Sequence, residues 1–312
     1  MPILHSGLET DLRLATALDQ ALLISLTDMA WIGAPELGAI RDLGFVNGTG
    51  SDTARVRFAG LNGANHFRAI DIAGGETEAH EESETALTDA SADIAVARAA
   101  LVRNIGDLAL GTGFADDISA ERLAADMVFS YRGYYNSLVA TAIATASTDV
   151  GTSTVDMSVD DFYDAVFQLE LSSVPGPYYC MLHPRQFADF QESLRAEGGA
   201  TQFSPATQEM LKIAGQGLAG SFAGVNIFLS SDVSSTGGNR HGAMWGQGAL
   251  AHKRMIPNPP VGAGTAVAVR MDELLVEITR DASKGVTEVA GNAYVGVGLI
   301  EQARIVGIVT DA

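Results

Sequence analysis

The chain of 312 residues is 47% apolar and sets 19 basic against 38 acidic residues, a formal net charge of -19. That much apolar side chain supplies a full core and excludes a disordered chain; the acidic excess excludes a surface whose main task is to neutralise nucleic-acid phosphates. No apolar run approaches the length of about 18 residues that spans a bilayer, and no basic start, apolar stretch and cleavage site open the chain, so folding in a reducing cytoplasm without a membrane is expected.

Only three lysines occur, Lys212, Lys253 and Lys284, so the positive charge is almost all arginine, the side chain suited to bidentate and interface contacts. The single cysteine, Cys180, sits in an apolar run and reads as a small buried hydrophobe.

In chain order, residues 1–47 mix short apolar clusters (Leu12, Leu14, Leu18) with Gly33, Pro35 and Gly38, too broken for one helix. They predict an extended arm carrying a short helix. Such an arm cannot bury its own apolar residues and needs a surface, its own body or a neighbouring subunit. Residues 48–100 predict a long hairpin: strands at 54–61 and 92–102 alternate polar and apolar residues around a hydrophilic middle, 71–91. An excursion of that length usually has a function.

The clearest helix is 120–146, with Ser119 to cap it, Glu121 and Asp126 near its positive end, and Leu123, Met127, Ser130, Tyr131, Tyr134, Leu138, Ala142 and Thr145 at helical spacing. At about 1.5 Å per residue it reaches roughly 40 Å. Periodicity alone does not separate a bracing spine from an ordinary buried helix.

A Ser/Thr/Gly linker, 147–154, precedes an amphipathic helix at 159–171 that opens at Ser158 with Asp160 and Asp161 in its first turn. Pro175-Gly176-Pro177 stops it, 178–182 reads as a buried strand, and Pro184 opens a helix over 185–196. A polar loop follows at 197–207, then a helical stretch at 208–214 and strands at 225–229, 248–255, 266–278 and 294–309.

Few constellations carry chemistry. Gly215-Gln216-Gly217-Leu218-Ala219-Gly220 matches GxGxxG in letters, but a dinucleotide site needs a strand before it and a helix after it, and here the order is reversed. A helix C-cap and turn is the plainer reading. Glu76, Glu78, Glu81, Glu82 and Glu84 surround His80 without a rigid frame for a hard cation. They read as a solvated loop tip that meets arginines of a neighbour. The six histidines are scattered, with no HExxH, and neither a GxSxG elbow nor a P-loop occurs. His252-Lys253-Arg254 is the densest basic patch, too small for specific nucleic-acid recognition. Phe129, Tyr131, Tyr134 and Tyr135 read as packing residues rather than a stacking platform. No catalytic, cofactor or metal residue is assigned. The candidate interface residues are Glu76, Glu78, Glu81, Glu82, Glu84, Arg55, Arg57, Lys253 and Arg254.

The order of helix 120–146, YYCMLHPRQFADF, SFAGVNIFLSSDV, GALAHKRM and the closing VEITRD and YVGVGLIEQARIVGIV resembles the major capsid proteins of tailed double-stranded DNA bacteriophages, the Hong Kong 97-type fold. The resemblance implies an α+β chain with an N-terminal arm (1–47), an extended loop (48–100) lying across an adjacent subunit, a peripheral domain with a long spine helix (101–150 and 250–298) and an axial domain (151–249 and 299–312). It also implies self-assembly into pentamers and hexamers of an icosahedral shell that encloses DNA without sequence-specific binding. Implied partners are a portal and decoration proteins, and the implied location is the virion, assembled in the host cytoplasm. Some relatives join a loop lysine to a neighbour's asparagine; residues 48–101 hold no lysine, so no such cross-link is expected. The arm begins almost at once, so scaffolding is expected from a separate protein. Three other readings stand beside this one: an encapsulin-like compartment enclosing enzymes, a nucleotide-dependent enzyme built on Gly215 to Gly220, and a tail-associated virion protein.

Overall fold

The computed structural model describes residues 32, 37–47, 52–59, 89–106, 120–197, 203–205, 218–257, 267–271, 274–281 and 283–311. In chain order its elements are β1 (Arg41–Phe45), β2 (Thr53–Ala59), β3 (Asp89–Ala95), β4 (Ala97–Gly106), α1 (Ala120–Ile143), β5 (Asp149–Val150), α2 (Val159–Leu171), β6 (Tyr178–Leu182), α3 (Pro184–Ala196), β7 (Ser204–Pro205), β8 (Leu218–Phe222) and β9 (Val225–Leu229). They continue with β10 (Ser235–Thr236), β11 (Asn239–Gly246), β12 (Leu250–Arg254), β13 (Val267–Met271), β14 (Leu274–Asp281), β15 (Val286–Leu299), a 3-10 turn (Gln302–Arg304) and β16 (Ile305–Asp311).

Among the described residues three sheets result. A six-stranded sheet runs β1-β12-β15-β14-β13, with β4 also paired to β15. An eight-stranded sheet runs β5-β16-β11-β6-β9-β8-β7, with β10 on β11. The strands β2 and β3 form a sheet of their own, in register from Thr53 opposite Ala95 to Ala59 opposite Asp89, with Ile94 buried against Ala251 and Ile300 of the body.

The eight-stranded sheet is covered on both faces, and its side chains show it. Along β6, Tyr179 and Met181 enter one core while Cys180 and Leu182 enter another; on β11 Ala243 and Trp245 face the first and Met244 the second. The two-residue period of a strand makes this division unavoidable. Helices α2 and α3 cover the second face, where Phe162, Phe190 and Phe222 meet with ring centroids 5.2 to 5.3 Å apart. Ser158 caps α2 through a capping box with Asp161, and His183 caps α3 with Pro184 at its first position.

Helix α1 covers the other face and reaches the six-stranded sheet. Leu123, Met127, Tyr131, Tyr135, Val139 and Ile143 are all buried, a row spaced by four residues. At 3.6 residues per turn such a row advances about 40° per step, so it winds around the helix instead of following one line. The winding suits a helix whose start packs near β15, with Met127 beside Gly291, and whose end is tied to the turn before β16 by Gln302 Nε2 donating to the Thr145 carbonyl.

The structure corrects several boundaries. Helix α1 ends at Ile143, and the tightened turn after it leaves Thr145 outside. Tyr135, not Tyr134, lies at the centre of the buried row. The alternating run 92–102 divides at Val96, where β3 leaves its hairpin partner and β4 begins pairing with β15. The stretch predicted at 266–278 holds two antiparallel-paired strands, β13 and β14, and 294–309 splits into β15 and β16, which belong to different sheets. Ser119 and the stretch 208–214 lie outside the described residues.

Candidate assembly surfaces

The segment 37–47 is held along the body by a chain of bonds to its backbone. Trp245, fully buried, donates Nε1–H to the Ala39 carbonyl at 2.9 Å, and the Tyr179 hydroxyl donates to Leu37 O. β1 then pairs in parallel with β12, Arg41 opposite Ala251 and Phe45 opposite Arg254. Lys253 Nζ donates to Leu43 O at 2.7 Å, and Asn47 exchanges two 2.7 Å bonds with the backbone of Ile256.

A polar line crosses this seam from helix to arm. The Tyr135 hydroxyl lies 2.7 Å from His252 Nδ1, and His252 Nε2 lies 3.1 Å from Asp42 Oδ1. The other Asp42 oxygen binds Arg254, whose guanidinium sits 4.9 Å from the Phe45 ring centroid. Burial pushes the Asp42 carboxyl up, but the Gly44 N–H and the charge interactions with Arg254 and His252 outweigh it and hold the group below the ordinary carboxylate value. Tyr135 is fully buried and β1 closes the far side, so the Asp-His-Tyr line joins three elements and presents no hydroxyl to a substrate.

The residues expected at interfaces are scattered. Lys253 and Arg254 both point at the chain's own β1. Arg55 forms an exposed bidentate pair with Asp93, directly opposite on β3, at 2.9 and 3.0 Å. Arg57 pairs with Ser91 in the same ladder. Glu76, Glu78, Glu81, Glu82 and Glu84, with His80, lie outside the described residues, as do Gly215 and Gly217. Gly220 lies inside strand β8, and the chain turns from β8 directly into β9, so no helix follows the third glycine to receive a pyrophosphate. The GxGxxG reading fails on that geometry.

Three features escaped the sequence. Tyr163, Phe167 and Leu171 line the outer face of α2, and Phe129 stands out from α1 beside Arg132. Burial without a counter-charge pushes the Arg132 guanidinium down to about 10. A cavity of about 210 Å³ lies between α1 and the six-stranded sheet, bordered by Ala99, Leu101, Met127, Tyr131 and Tyr134, with no carboxylate, histidine or lysine among the described residues that line it. Among the described residues no group of three His, Cys, Asp or Glu is placed to hold a metal ion, and no helix is long and apolar enough to cross a membrane.

No protein-family model and no curated protein matches the sequence. Solved structures do match the fold. The chain is similar to the capsid of Ralstonia phage GP4, with a TM-score of 0.58 at 12% identity over 92% of this chain and 90% of that one. It is similar to the SrpI encapsulin of Synechococcus elongatus PCC 7942, with a TM-score of 0.56 at 12% identity over 87% and 84%. A virus-like particle from Pyrococcus furiosus gives a TM-score of 0.53 at 11% identity over 93% and 97%. With its two large sheets, long helix and N-terminal segment in the order the sequence predicts, the chain has the α+β Hong Kong 97-type capsid fold.

Proposed function

We propose that this chain is a major capsid protein of a tailed double-stranded DNA bacteriophage, assembling into pentamers and hexamers of an icosahedral shell around the genome. The observation that carries the reading is the extent of the likeness to the GP4 capsid, 92% of this chain at a TM-score of 0.58. Its work is assembly rather than catalysis: heterologous contacts that close give rings, and the arm (1–47) and extended loop (48–100) tie neighbouring copies. A peripheral domain (101–150 and 250–298) and an axial domain (151–249 and 299–312) form the body. The charge of -19 fits a wall that confines DNA without gripping it, since repulsion reaches only about 8 Å at physiological salt. A portal, separate scaffolding and decoration proteins are the further partners, and the shell assembles in the host cytoplasm as part of the virion.

Light scattering with negative-stain electron microscopy of the purified protein tests this. Closed polyhedra, or pentamers and hexamers that convert to them, are expected; a monomer or dimer under all assembly conditions would overturn it. The likeness to the SrpI encapsulin, with a TM-score of 0.56, favours a second reading, a compartment enclosing an enzyme. Cargo separates the two: nuclease-protected DNA in the particles supports the phage shell, a co-purifying enzyme the compartment.

A further inference from the structure

Two exposed patches on this chain complement each other and cannot meet within one copy. On α2, Tyr163, Phe167 and Leu171 recur every fourth residue and are 45%, 57% and 67% exposed, an apolar row that starts at the flank, where the Tyr163 ring lies 5.6 Å from buried Phe222, and turns outward along the helix. Asp160 and Asp164, both exposed, form the adjacent row, offset by three residues. On α1, Phe129 is 73% exposed and Arg132 lies one turn further on, with no ion-pair partner among the described residues. Gly133, next after Arg132 and one turn beyond Phe129, has open space where its Cβ would be. Glycine inside a helix costs about 1 kcal/mol relative to alanine. Nothing among the described residues requires it there.

A glycine notch beside an exposed phenylalanine and an unmatched arginine is a seat for another helix. The acidic and apolar rows of α2 supply what that seat lacks, a ring-sized apolar knob and a carboxylate. Two α2 faces would instead oppose carboxylate to carboxylate, which disfavours a symmetric contact. Because α1 and α2 cover opposite faces of the eight-stranded sheet, the partner must be a second copy.

We infer that the Tyr163-Phe167-Leu171 face of α2 docks on the Phe129-Gly133 notch of α1 in a neighbouring copy, with Arg132 paired to Asp164. This rests on the proposal that copies assemble into a shell, and it names one contact of that shell. Each copy offers both faces in different places, so the contact is heterologous and propagates around a ring.

Charge exchange tests it. Arg132→Glu and Asp164→Arg should each lower the assembled fraction at least about tenfold, and the double variant should restore it. Asp164→Arg should melt as the wild type does, because that site is exposed in the isolated chain; Arg132 is half-buried, so the uncharged Arg132→Gln accompanies Arg132→Glu and should also lose assembly while remaining folded. Independently, Gly133→Cys combined with Phe167→Cys should yield, on oxidation of particles, a covalent ladder; Cys180 is buried and does not contribute. Singles that assemble normally, a double that stays unassembled though folded, or an absent ladder overturn the contact while leaving the shell intact. Normal assembly of the singles with loss of a second bound protein would assign the patches to that protein and overturn it too. Failure of the wild type to form shells removes the capsid reading itself, a result recognisable before any variant is made.

Discussion

Asp42 is where the arm meets the body's charge. Its carboxyl titrates below its ordinary value in the folded chain because the Gly44 N–H and the charge interactions with Arg254 and His252 outweigh the upward pull of burial. A depressed folded pKa means the stabilisation is complete above the unfolded value and is lost as pH falls through the folded one. Urea unfolding from roughly pH 6 down to 3 should therefore show an acid limb that is shallower in Asp42→Asn, with that variant already weaker at the upper end. An unchanged acid limb would remove Asp42 from the seam. Trp245 is the other anchor. Trp245→Ala should cost about 3–5 kcal/mol, and it should make the segment around Ala39 cleavable in limited proteolysis, because both the buried ring and the bond to the Ala39 carbonyl are lost.

At the scale of elements, glycines mark close approaches that no substitution can widen cheaply. A Cβ at Gly296 would collide with the Ala95 carbonyl, at the point where β3 hands over to β4. Gly296→Ala should lower the melting temperature by several degrees, as expected of overpacking worth about 1–3 kcal/mol, whereas alanine at Gly133 should not. Elements with local punctuation were legible beforehand. Ser158 and Asp161 cap α2, Pro175-Gly176-Pro177 ends its neighbourhood, and Pro184 starts α3, so α2, β6 and α3 have almost the predicted limits. The run 92–102 was not, since a period of two persists while the pairing partner changes at Val96. Strand β11 was hidden for a related reason: Gly242 and Gly246 interrupt its apolar pattern where it passes close to Leu182 and Val174.

At the scale of the molecule, segment order carried the fold, while sheet membership, which is non-local, did not show. Lys253 and Arg254 looked like a free basic patch because the chain that receives them lies some two hundred residues earlier. The exposed faces of α1 and α2 were invisible because apolar residues at helical spacing read as core until burial is known. One departure from relatives gives a direct expectation. With no lysine in residues 48–101, particles boiled in detergent should run as single 32.5 kDa chains, and a covalent ladder from the wild-type protein would falsify this.

The eight-stranded sheet belongs to two cores at once: Cys180 looks into one and its neighbours Tyr179 and Met181 into the other. Neither core can melt without stripping a wall from its neighbour. Heat absorbed by the unassembled chain should therefore appear in one calorimetric peak, with van't Hoff and calorimetric enthalpies in agreement, although the chain is long enough for two independent domains. A subunit of that kind keeps its shape as a single rigid tile until it fails altogether.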